Sequence, residues 1–188
     1  MSETYFTDQI FKGSDLHPSL PENSEFENCT FNNCKFTDLS RCTFSECTFH
    51  ECDLSMAKLN NTSFRDATFI SCKLLGLHFE NCNKMLFSVH FNTCLLNLSS
   101  FYQCNLKNSD FNGCQLAESD FAEANLSGTT LSNCELSGAI FDQTNLEKTD
   151  LRNSVNFSID PETNRIKKAK FSANSLEGLL MKYNLHIE

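Results

Sequence analysis

The sequence predicts an all-β solenoid of four-sided coils with a short C-terminal α-helix, and three observations carry that expectation. Every fifth residue from Leu86 to Leu151 is Leu or Phe. Two residues before these centres stand small side chains, as at Cys94, Ser99, Cys104, Ser109, Cys114, Ser119, Ala124 and Thr129. Centre identity also recurs after four units: Leu86, Leu106, Leu126 and Leu146 align, as do Phe101, Phe121 and Phe141.

A period of five fits neither the 3.6 of a helix nor the 2 of a strand, so neither regular element persists. Short extended segments separated by turns satisfy it, because residues i−2 and i then share the inner face. The remaining residues of each unit face water, which accounts for the Asn, Ser, Asp and Glu that accompany so much Phe. Like side chains stacked at the ~4.8 Å strand spacing give a rod on the order of 40 Å long.

Residues 1–174 form the solenoid in this reading, starting with an irregular N-terminal coil and cap over 1–25. Phe6, Phe11 and Leu16 already fall on the beat, and Pro18 and Pro21 break it. Phe26, Phe31 and Phe36 resume it. A second run, Leu39 to Phe79, is displaced by three residues and spells Leu-Phe-Phe-Leu twice before Phe79, which fixes the four-unit period. The phase shifts again between Phe79 and Leu86. The two slips read as insertions of about three residues within Thr37 to Arg41 and two near Lys84 and Met85.

After Leu151 the centres become Asn156 and Pro161, and Ile166 and Phe171 then return in phase. Residues 152–165 are therefore expected to form an outward detour of unchanged length. Residues 175–188 change period: Ser175 is a candidate N-cap, and Leu176, Leu179, Leu180 and Tyr183 form a helical stripe. With Leu185 and Ile187 this stripe is expected to cap the rod and to join two protomers.

Composition limits the function. Lys and Arg number 15 against 24 Asp and Glu, for a formal charge of −9. Direct nucleic-acid binding needs a cationic surface and is disfavoured. Residues 1–160 carry 10 basic and 21 acidic side chains, and residues 161–188 carry 5 and 3. Arg165, Lys167, Lys168 and Lys170 read as the polar cover of the last coil. No stretch has the length of a membrane span, and the first residues carry no secretory pattern, so a cytoplasmic location is expected.

Ten of the eleven cysteines lie two residues before a Leu or Phe centre, where they interchange with Ser, Ala and Thr. They read as small buried side chains, with no metal or disulfide framework. The histidines lack metal-ligand or catalytic spacing, and no phosphate loop, dinucleotide fingerprint or nucleophile elbow occurs. Neither enzyme chemistry nor a cofactor is expected. The candidate partner-binding residues are the outward carboxylates Asp53, Asp110, Asp120 and Asp150, and Asp38, Arg41, Lys84 and Met85 at the two slips.

The repeat Ala/Cys/Ser/Thr-x-Leu/Phe-x-x resembles that of the pentapeptide-repeat proteins, which implies a right-handed quadrilateral β-helix. The segment Cys52 to Ala57, the ending Gly178 to Ile187 and the positions of the slips are similar to those of the Qnr-type quinolone-resistance and gyrase-interacting group. That resemblance implies a homodimer joined through the C-terminal helix, and a DNA-like acidic rod that engages a type II topoisomerase. The slips here are shorter than the loops that Qnr proteins use to protect gyrase from quinolones.

Overall fold

The structure is a computed structural model that describes residues 4–13, 16, 20, 21 and 23–186. The chain winds into a four-sided solenoid. Its strands in chain order are β1 (Tyr5–Thr7), β2 (Ile10–Lys12), β3 (Glu25–Glu27), β4 (Thr30–Asn32), β5 (Thr43–Ser45), β6 (Thr48–His50), β7 (Ser63–Arg65), β8 (Ala67–Ile70), β9 (Val89–Asn92), β10 (Asp110–Asn112) and β11 (Thr130–Ser132). All pair in parallel: side 1 holds β1-β3-β5-β7, and side 2 holds β2-β4-β6-β8-β9-β10-β11. Sides 3 and 4 are joined by single-residue bridges, such as Gln115 to Glu135 on side 3 and Ser100 to Asp120 on side 4.

The corners explain the period. Two residues after a centre the backbone turns left-handed, as at Asn28 (φ 50°), Glu46 (φ 53°), Glu118 (φ 57°) and Gly128 (φ 73°). Asn and Gly tolerate this conformation best, yet Glu, Leu and Met also occupy it, held there by the bonds of the coils on either side. The turn closes through an N–H three residues after the centre, as from Ala124 to the Phe121 carbonyl at 3.0 Å.

The same carbonyls also accept a bond from the neighbouring coil. Thr144 Oγ1 donates to Phe121 O at 2.8 Å, Thr129 Oγ1 to Leu106 O at 2.8 Å and Ser119 Oγ to Leu96 O at 2.9 Å. On side 2, cysteine thiols donate to the carbonyls of centres within strands, from Cys72 to Phe49 O at 3.3 Å and Cys134 to Phe111 O at 3.4 Å. Where the small side chain two residues before a centre is Ser, Thr or Cys, it is thus selected twice, for size and for a donor that satisfies a buried carbonyl.

Inside, Phe stacks on Phe between coils and meets Phe edge-on within a coil. Phe101 and Phe121 lie 5.1 Å apart with planes at 2°, whereas Phe111 and Phe121 meet at 83°. Both arrangements suit the ring quadrupole. All eleven cysteines are buried and none is in a disulfide, and burial pushes the thiols of Cys47 and Cys104 up to about 12.

Several expectations are corrected. The first slip is a contraction: Phe26 pairs with Phe44 and Phe31 with Phe49, 18 residues on rather than 20, because the corner between Phe36 and Leu39 is two residues short. The second slip is the expected insertion of two residues and compensates the first, with Phe69 opposite Phe91, 22 residues on. Leu86 is no core centre. It is 71 % exposed at a left-handed position (φ 58°), and Phe87 packs partly buried in its place.

The ends differ too. The N-terminal coil is regular on two sides, with Phe6 opposite Phe26 and Phe11 opposite Phe31. The detour keeps register, as Asn145 to Arg165 and Asp150 to Lys170 demonstrate, but it turns Phe157 and Ile159 into the core instead of bulging wholly outward. The C-terminal helix is wound as two 3-10 stretches, Ala173–Leu179 and Met181–Tyr183, and Ser172 rather than Ser175 precedes the first. Gly178 is required there, since a Cβ would sit 2.5 Å from both the Phe157 ring and its carbonyl oxygen.

Phe111→Ala is expected to cost about 3–5 kcal/mol through the cavity left in a fully buried stack. Thr129→Val, which keeps the volume but removes one of the two hydrogen bonds to the Leu106 carbonyl, is expected to cost about 1 kcal/mol. Denaturant unfolding of both variants checks the order.

Candidate functional site

The outward residue one before each centre lies mid-side, so the four-sided register decides which surface residues meet. Asp110 and Asp150 stand on side 2, Asp53 on side 3, and Asp38 and Asp120 on side 4. The sequence-predicted carboxylates are therefore spread over three sides.

Most of them are engaged. Asp53 lies between Lys35 and Lys73 in one column and accepts the Ser55 N–H at 3.0 Å. Asp38 accepts the Ser40 N–H at 3.0 Å and sits 3.7 Å from Lys58 Nζ. Burial raises both carboxyls, but these hydrogen bonds and the flanking lysines outweigh it and hold both below the usual carboxylate range. Asp110 and Asp66 flank the His90 ring at 3.3 and 3.4 Å. Asp150 holds Arg152 in a two-pronged pair at 2.7 and 3.0 Å, with Lys170 at 3.4 Å. The Arg152 hydrogen bonds pull its carboxyl down to about 2. Asp120 accepts only the Ala122 N–H, at 2.8 Å, and has no cation partner among the ion pairs of the described residues.

The slip residues separate as well. Arg41 takes a left-handed corner (φ 62°) after Leu39, while Lys84 and Met85 lie exposed on the expanded corner between sides 4 and 1, Met85 at 68 %.

The C-terminal residues do gather. Gly178 is buried and Leu179 partly buried against the core, while Leu176, Leu180, Tyr183 and Leu185 face outward, with Met181 beside them. Ile187 lies outside the described residues. Lys182 clasps the stretch to the preceding detour through Asp160 and Glu162, both at 2.7 Å, and Tyr183 Oη donates to Glu162 at 2.9 Å. A cleft of about 450 Å³ runs between this stretch and the last coils, lined by Gly138, Val155, Phe157, Glu177 and Met181 among others.

Sequence reasoning missed how charge and apolar surface divide between sides. On sides 3 and 4, residues 94–103, 114–123 and 134–143 hold Glu118, Asp120, Glu123, Glu135 and Asp142 and no Lys or Arg. On sides 1 and 2, residues 104–113, 124–133 and 144–153 hold Lys107, Lys148 and Arg152 against Asp110, Glu147 and Asp150. The four-unit recurrence contained this signal once outward residues, and not only centres, are aligned by it.

Among the described residues no group of three or more His, Cys, Asp and Glu is arranged to hold a metal, and no helix is long and apolar enough to cross a membrane.

The Asp150 pair has a pH signature. A carboxyl held at about 2 against an ordinary 3.8 stabilises the fold above pH 4 and loses that contribution as pH falls from 4 toward 2. Asp150→Asn is expected to lower the melting temperature at pH 7, and the gap from wild type is expected to shrink between pH 4 and 2; a constant gap contradicts the assignment.

The repeats match the family described as pentapeptide repeat region over residues 23–85, 42–121 and 84–181. No curated protein matches the chain. Among solved structures, a trypsin-treated variant of QnrB1, described as a plasmid-mediated fluoroquinolone resistance protein, is similar at 21 % identity and a TM-score of 0.65, covering 99 % of this chain and 98 % of that one. A second trypsin-treated QnrB1 variant aligns over the full length of both chains at 22 % identity and a TM-score of 0.51. At such identities the likeness speaks to fold alone. With its five-residue period, four-sided parallel coils and matches spanning most of its length, the chain belongs to the pentapeptide-repeat family and folds as its right-handed quadrilateral β-helix.

Proposed function

We propose that this chain is a non-enzymatic, dimeric rod of the cytoplasm that binds a type II topoisomerase, DNA gyrase or topoisomerase IV, in place of duplex DNA and thereby alters quinolone susceptibility. The observation that carries the reading is the row of carboxylates on sides 3 and 4, which has no Lys or Arg among it over three successive coils. A rigid narrow rod presents such charges at fixed intervals, as duplex DNA presents phosphates, and complementary fields steer a cationic groove onto it. The fold shared with a fluoroquinolone resistance protein agrees with this reading.

A second reading is favoured by the slips. The corner at Phe36 to Leu39 is contracted and presents no projecting loop, and Asp38, Asp53 and Asp150 already have cationic partners. An interaction scaffold for a different protein fits these facts equally.

Dimerisation rests on the outward Leu176, Leu180, Tyr183 and Leu185, an apolar cluster at the end of the rod. Light scattering at tens of micromolar is expected to give the mass of two chains, and Leu176→Asp with Leu180→Asp the mass of one. A wild-type monomer at that concentration overturns the dimer.

The topoisomerase reading is tested by adding the protein to a gyrase supercoiling reaction with and without a fluoroquinolone. Inhibition of supercoiling, or relief of drug inhibition, at micromolar protein is expected. No effect on either reaction leaves the scaffold reading in place.

A further inference from the structure

Exposed apolar side chains along the rod are not spread evenly over its four sides. Setting aside the first coil, the C-terminal stretch and the expanded corner at Met85 and Leu86, the large exposed hydrophobics are Met56, Leu75, Leu95, Leu98, Tyr102, Ile140 and Val155. All of them stand on sides 3 and 4 or at their corners. Sides 1 and 2 present Thr and Asn columns instead, such as Thr30, Thr48 and Thr68, and Asn105, Asn125 and Asn145, whose amides bond to one another at 3.0 Å.

The apolar members are contiguous. Met56, Gly76 and Leu98 occupy successive levels of the corner between sides 3 and 4, tied by Met56 N–H to Leu75 O at 2.8 Å and Gly76 N–H to Asn97 O at 3.0 Å. The Met56 side chain lies across Gly76, where a Cβ would stand 2.4 Å from its sulfur. Leu98 is bound at its N–H to Ala117 O, one level from Glu118. The apolar patch therefore runs directly into the carboxylates Glu118, Asp120 and Glu123.

We propose that sides 3 and 4 from Met56 to Asp142 form a docking face for a partner-protein segment that combines apolar anchors with Lys or Arg side chains. Apolar surface next to carboxylates that have no cation partner among the described residues is complementary to such a segment on both counts. Nucleic acid and anionic lipid are excluded as occupants by the same carboxylates. Methionine at the centre of the patch suits a surface that adapts to its partner. The inference goes beyond the topoisomerase reading, because it specifies the chemistry of the contact whichever protein supplies it.

The test uses the whole chain and a fluorescently labelled amphipathic peptide of Leu and Lys, with a second peptide carrying Gln in place of every Leu. Fluorescence anisotropy is expected to give binding of the Leu–Lys peptide and a loss of about tenfold or more for the Gln–Lys peptide. Met56→Asp with Leu98→Asp, and separately Glu118→Gln with Asp120→Gln, are expected to weaken the Leu–Lys peptide by about tenfold. Ile10→Asp, at an exposed apolar side chain on side 2, is expected to leave it within about twofold. All substituted side chains are on the surface, and unchanged melting temperatures verify folding. Equal affinity for the two peptides, an equal loss in the Ile10 variant, or no binding by wild type overturns the proposal. The supercoiling reaction is a separate readout, so either proposal can fail alone.

Discussion

Each coil closes because the chain turns left-handed two residues after a buried centre, and closure places every side chain on its counterpart one coil away. The carbonyl of the centre is the hinge of this arrangement. At centres such as Leu106 and Phe121 it accepts the turn N–H from its own coil and a hydroxyl from the next, so the corner and the stacking are secured at one atom. Removing the small donor or the large centre disturbs both, which is why the two positions obey one rule over so much of the sequence. The Phe stacks then follow, since rings at strand spacing can only lie parallel to the next coil and edge-on to neighbours within a coil.

Register is what the slips test. A coil two residues short at Phe36 to Leu39 and another two residues long between Phe79 and Phe91 leave the stacking of Phe31 on Phe49 and Phe69 on Phe91 intact. The rod absorbs changes in length at corners because a corner contributes little to the core, whereas a side cannot lose a residue without reversing which face is buried.

The fold was legible because the centres and their small neighbours repeat regardless of outward chemistry. The direction of the first slip was not, since adding three residues and removing two shift a five-residue phase identically; only the pairing of Phe26 with Phe44 separates them. Leu86 fits the beat and is still exposed, because the expansion before it lets Phe87 take the inward place. Ser175 and the stripe from Leu176 imply an α-helix, but docking Gly178 onto Phe157 tightens the stretch to 3-10 geometry. Of the candidate surface residues, the outward position of the carboxylates was legible. Their ion pairing was not, because Asp53 meets Lys35 and Lys73 only after register is assigned.

On this account the rod works through surface alone: balanced polar sides, two sides that join apolar patches to carboxylates, and an apolar end. The measurement that tests its central claim most directly is competition, in which the protein is titrated against labelled duplex DNA bound to gyrase. The account predicts that duplex is released at micromolar protein, and that raising the salt concentration moves the midpoint upward as screening weakens the carboxylate contacts. Duplex that stays bound at a large excess of protein contradicts it.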